Sequence, residues 1–169
     1  MCSFRSNCSR PGAMIWSFWS VSAHRCLRNH DVARHSPRSA ACTPADARNR
    51  LRQAEAFLSA ANAALDSNDT SEVAGVAASL AVLSGIAASD AACCARLGRR
   101  ARGQDHREVR RLLTTVHPGG VEMMKQLDVL LAAKDDAHYG ANVMTIAKAT
   151  ALVGRAARLV ALSRAVCTT

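Results

Sequence analysis

The sequence predicts an all-α protein, an antiparallel up-and-down bundle of about five helices over residues 44–169, preceded by a disordered leader of residues 1–43. Three observations predict it. Aromatic residues are only 4% of the 169, Ala is abundant, and no Val/Ile/Thr-rich alternating run offers a strand. Apolar residues recur at three- and four-residue spacing through several segments, as a buried helix face requires. Short turns separate these segments, and short connections make successive helices antiparallel.

The leader mixes Cys, Ser, Arg, His and Trp without either period, and Pro37 and Pro44 interrupt its end, so it presents no amphipathic face to bury. A signal peptide is the rival reading. Arg5 and Arg10 precede a short apolar run over residues 13–21, and Val21-Ser22-Ala23 resembles a small-x-small cleavage site. A metal site from Cys8, His24, Cys26, His30 and His35 lacks the paired spacing of zinc ligands, so no metal or other cofactor is expected.

The seven cysteines are an odd number without repeated spacing, which argues against a disulfide framework and for a reducing, cytoplasmic setting.

Thr43-Pro44 opens the first helix, with Thr as N-cap and Pro in the first helical position. Leu51, Ala54, Leu58, Ala61 and Leu65 form its stripe, widened by Phe57. A capping-box pattern, Asp69-x-x-Glu72, opens the second helix. Its stripe runs through Val73, Val76, Leu80, Leu83, Ala87, Cys94 and Leu97, and the same count places Asp90 among them. Residues 73–95 are long enough to span a bilayer. Ala, Ser and Gly transfer weakly, however, and Asp90 would cost roughly 3 kcal/mol near mid-membrane. A central buried helix with no membrane contact fits better.

The third helix, from about Asp105, faces Val109, Leu112, Leu113 and Val116 inward and Arg107, Arg110 and Arg111 outward, and ends at His117-Pro118-Gly119-Gly120. The fourth carries Met124, Leu127 and Leu131, and its count continues to Lys134 and His138, with Gly140 as C-cap. The fifth turns Val143, Ile146, Val153, Ala157 and Val160 inward.

Charge is unevenly placed. Of a net +9, the leader carries six Arg against one Asp, and the bundle sixteen Lys and Arg against twelve acids. Residues 96–111 alone hold seven Arg with only Asp105 and Glu108 as acids. Arg99, Arg100, Arg102, His106, Arg107, Arg110 and Arg111 are therefore the expected nucleic-acid contacts, mainly to backbone phosphate. No interleaved aromatics are there to stack on bases. The sequence has no P-loop, no G-x-G-x-x-G and no C-x-x-C.

The Ala-rich first helices, the loop reaching Gln104-Asp105-His106, and Lys134-Asp135-Asp136-Ala137-His138-Tyr139 before a last long helix resemble the HEPN domain. One branch of that family has Arg-x-x-Ala-Asp-Tyr where this chain has the last of these segments. The resemblance covers residues 49–164. It implies a small helical bundle that forms homodimers, binds RNA, and in many members acts as the RNase toxin beside a nucleotidyltransferase-like antitoxin. The active branch carries Arg, four to six residues, then His, and cleaves without metal. Lys134 and His138 have three residues between them and Lys for Arg. Arg100 and His106 have five residues between them, and Arg99 and His106 six.

Metal-free RNA cleavage needs a base for the 2′-hydroxyl and a cation for the charge developing at phosphorus. His138 and Lys134 are the candidates for those roles, with Asp90 orienting the imidazole and Tyr139 donating to a phosphate. A second reading stays open: Asp90 facing Lys134 or His138 in a buried polar network, inside a non-catalytic dimerisation or partner-binding module.

Overall fold

The computed structural model describes residues 38–67, 71–103, 106–134 and 144–168. The expected leader up to residue 37, the Asp69 cap, the Asp105 helix start, His138, Tyr139, Gly140 and Val143 lie outside the described residues.

Five helices make up the described body: α1 (Pro44–Ser67), α2 (Ser71–Leu97), α3 (His106–Leu113), α4 (Gly120–Ala132) and α5 (Ile146–Thr168). The expected all-helical bundle is the fold. Thr43 does cap α1. Its N–H and Oγ1–H donate to Asp46 Oδ2 at 2.8 and 2.7 Å, and the Asp46 N–H donates back to Thr43 Oγ1 at 3.2 Å.

The centre of the bundle is α2, packed against α1 on one side and α5 on the other, with α4 closing over α5. One stripe does not describe it. Ala74, Ala77, Ala78, Ala81, Ala88, Ala91 and Ala92 are buried all round the helix, whereas Val76 and Leu83, expected inside, are 54% and 39% exposed. Small side chains let neighbouring backbones approach, so the tight interfaces form where Ala lies and bulkier residues sit at their margins. Two buried hydroxyls show that closeness. Ser84 Oγ donates to the Ala54 carbonyl of α1, and Ser163 Oγ of α5 donates to the Ala88 carbonyl of α2, both at 2.8 Å. The stretch Glu72–Leu97 is long and apolar enough to cross a membrane by composition, yet 72% of that window is buried within the bundle.

The bulky core lies elsewhere, in Leu112, Leu113, Met123, Leu127, Leu130 and Leu159. On α3 the expected inward and outward faces hold. On α4 the face is turned by one residue: Met123, Gln126 and Leu130 are buried while Met124 and Leu131 are half-buried. Gly120 fixes that rotation, because a Cβ there would strike the Leu113 carbonyl. On α5, Ala157 is exposed, and Ala149, Leu152, Ala156 and Leu159 are buried instead.

A two-stranded ribbon was not expected. β1 (Ser39–Ala41) pairs antiparallel with β2 (Arg99–Ala101), aligning Ala40 with Arg100. Three-residue strands with no alternation leave no period to read. Their pairing is set by Gly98, whose φ of 61° ends α2 in the left-handed region that L side chains resist, turning the chain back toward Cys42. The Cys42 N–H donates to the Gly98 carbonyl at 2.9 Å, and a disulfide joins Cys42 to Cys94, with Cα atoms 5.6 Å apart.

Two expectations change accordingly. The folded body begins no later than Arg38, so the boundary at residue 43 is too late. Nor are all the cysteines unpaired, which removes the argument from cysteine usage for a reducing compartment. Cys93 and Cys167 are free thiols.

Candidate functional site

Asp90 comes from the C-terminal third of α2 and is 5% exposed. Its Oδ2 accepts from Arg50 of α1 at 2.8 Å, and Arg100 of β2 lies 3.8 Å away. Arg50 also donates to Gln53 at 2.6 Å, which holds its guanidinium in place. The expected partner of Asp90 was Lys134 or His138; the ion pairs seen among the described residues are with the two arginines, and His138 lies outside those residues. An unpaired carboxylate at this depth would cost several kcal/mol, and Arg50 and Arg100 supply its counter-charges.

Burial pushes the Asp90 carboxyl above the usual aspartate value, and the charges of Arg50 and Arg100 offset that rise in part. A raised folded-state value means that this group adds stability below the unfolded pKa and loses it as pH climbs through the folded one. The stability difference between the parent and Asp90→Asn should therefore shrink from about pH 3.5 to about pH 6, as urea unfolding at both pH values will show. A difference that grew over that window would mean that the arginines outweigh burial.

Asp90 borders a cavity of about 440 Å³. Arg50, Arg100, His106 and Lys134 also line it, so basic side chains from α1, β2, α3 and the segment just after α4 share one cavity with Asp90. Phe57, Val82, Ile86, Val109 and Leu127 form its apolar side. Phe57 is the only Phe, Trp or Tyr among the described residues. The sequence placed it within a core stripe; the structure leaves it half-buried at the cavity.

A second, shallower hollow of about 350 Å³ shares His106 with the first and adds Arg107, Arg110 and Asp128. Arg110 pairs with Asp128 at 2.9 Å, and Arg111 with Glu108 at 2.7 Å, so these two guanidiniums are already engaged. The Arg111 hydrogen bonds hold the Glu108 carboxyl below its ordinary range. Arg99, Arg102 and Arg107 are exposed around this region.

The structure thus brings together Asp90, Lys134, Arg100 and His106 from the expected set. Arg110 and Arg111 point to acidic partners, and His138 and Tyr139 are not described. The missed residue is Arg50. Its signal was present, since Arg50 sits four residues before Ala54 and extends the buried stripe of α1 by one turn, as Asp90 does within α2. Among the described residues no three His, Cys, Asp or Glu side chains gather into a metal-binding group. No family profile, curated protein or solved structure matches this chain.

Proposed function

We propose that this bundle is an RNA-binding domain of HEPN type, with a phosphodiester seated in the Asp90 cavity. The observation that carries this reading is that Arg50, Arg100, His106 and Lys134 line one cavity in which Asp90 is the one acid among the described residues. Among the described lining side chains the basic groups outnumber the one acid, a balance that favours an anion. The apolar side, with Phe57, suits a base or sugar better than a bare inorganic ion. The adjoining hollow at His106 and Arg107 gives a polyanion somewhere to continue.

One feature favours chemistry as well as binding. Arg100 and His106, whose spacing fits the Arg-to-His interval of active HEPN domains, border the same cavity. In this reading His106 takes the proton of a 2′-hydroxyl as its oxygen attacks phosphorus, the P–O5′ bond breaks and the 5′-oxygen leaves with a proton from water, while Arg100 and Lys134 offset charge on the phosphate. Cleavage by this route would survive EDTA, end in a 2′,3′-cyclic phosphate and stop in His106→Ala.

Binding is tested by fluorescence anisotropy with a labelled single-stranded RNA over a range of salt. Arg100, Lys134 and Arg107 each meeting one phosphate predicts a log–log salt slope of about −2 for a single strand. An absence of binding at low salt would overturn the RNA reading and leave a helical partner-binding module.

A further inference from the structure

The disulfide and the Asp90 ion pair hold the same strand from two sides. Cys94 lies four residues after Asp90, one turn further along α2, and its partner Cys42 directly follows β1. β1 hydrogen-bonds β2, and β2 carries Arg100 to Asp90. The main packing partner of β1 is β2 rather than a helix. Its tie to α2 is the Cys42–Cys94 bond, backed by the Cys42 N–H on the Gly98 carbonyl.

We propose that the Cys42–Cys94 disulfide is a redox latch on the cavity: small thiols open it, the β1–β2 ribbon loosens, and Arg100 leaves Asp90. Cys42 is half-buried and Cys94 is 2% exposed, so the attacking thiolate reaches the Cys42 sulfur. The S–S bond breaks, a mixed disulfide forms on Cys42, and Cys94 departs as a thiolate that takes up a proton. A second thiol attacks the mixed disulfide, releases the external disulfide and returns Cys42 as a thiol. Two external thiols are oxidised and one protein disulfide is reduced. The neighbouring Cys93 does not divert the exchange, because burial pushes its thiol up to about 12 and keeps it protonated.

Opening the latch weakens RNA binding, a consequence that rests on the function proposed above; the latch itself does not. The experiment compares the full chain, oxidised and in dithiothreitol, with thiol counting to establish complete reduction. Amide exchange is read at Cys42 and at Arg102, whose N–H donates to the Arg38 carbonyl at 2.9 Å. Exchange there should quicken by about tenfold or more while the α2 core amides stay protected. The Asp90 carboxyl, followed by NMR, should titrate higher once Arg100 withdraws. RNA affinity should fall about tenfold, the weight of one charged contact.

Cys42→Ser should show the reduced values with or without dithiothreitol, and a Cys93→Ser, Cys167→Ser double variant should keep the full response. Unchanged exchange at Arg102 together with an unchanged Asp90 titration would overturn the latch. Unfolding of the reduced chain, with helical circular dichroism and α2 core protection both abolished, would overturn it too, because the bond would then hold the whole fold rather than the ribbon. If oxidised protein binds no RNA, the proposed function fails while exchange and titration still decide the latch.

Discussion

Replacing Arg100, Arg107 and Lys134 together by Gln should weaken single-stranded RNA binding by about a hundredfold at about 50 mM salt and flatten the salt slope by about two units. Each of these side chains borders one of the two adjoining hollows. Arg110 and Arg111 are left in place because Asp128 and Glu108 already hold them. The matching control removes the same charge elsewhere, at the exposed Arg48, Arg52 and Arg158. A diffuse electrostatic attraction would respond equally to both triples, because it depends on net charge rather than position. Equal losses in the two anisotropy titrations would therefore count against the cavity as the binding site. A loss confined to the first triple, with unchanged circular dichroism, would locate the phosphates there.

Removing the disulfide should produce the largest change in stability. Its partners are 52 residues apart, and closing a loop of that size reduces the entropy of the unfolded chain by an amount worth about 4 kcal/mol. Cys42→Ser in the full chain should lower the melting temperature by about 15 °C for a body of this size. Cys167→Ser, which removes a half-buried free thiol, serves as the comparison. A shift of less than about 3 °C in Cys42→Ser would show that the bond constrains little that the helices do not already hold. A chain shortened to begin at Thr43 should show the same loss, because it lacks both Cys42 and β1.

Helices were legible in this sequence because their signals are local. The Thr43-Pro44 start, the Val109–Leu112–Val116 spacing and the short turns each act over a few residues. The faces of α2 were less legible. With Ala, Ser and Gly on every side, no heavy stripe marks the buried direction, and counting the bulkier residues selected Val76 and Leu83, which lie at the margins.

The site was half legible. Asp90 announced itself as a charge on an apolar count, and Arg50 carried the complementary signal on the preceding helix. Pairing the two required knowing that α1 and α2 run antiparallel in the register that brings residues 40 apart together. Arg100 was seen as one of a cluster, but nothing in the cluster distinguished the arginine that turns inward from those that stay out. That choice is made by the ribbon, whose register depends on the Gly98 turn and a distant cysteine.

The central position of α2 has a consequence for synthesis. As the chain emerges from the ribosome, α1 precedes α2 and can cover one side of it at once, since few residues separate the two. The other side belongs to α5, Ile146–Thr168, which is made only about fifty residues after α2. For about fifty residues of elongation, several seconds at ordinary rates, an apolar helix therefore remains half covered. During that interval α2 is the segment that chaperones or other nascent chains would meet. Premature termination before α5 would leave an aggregation-prone intermediate with a bare Ala-rich face, so quality control of this bundle is decided when α5 arrives.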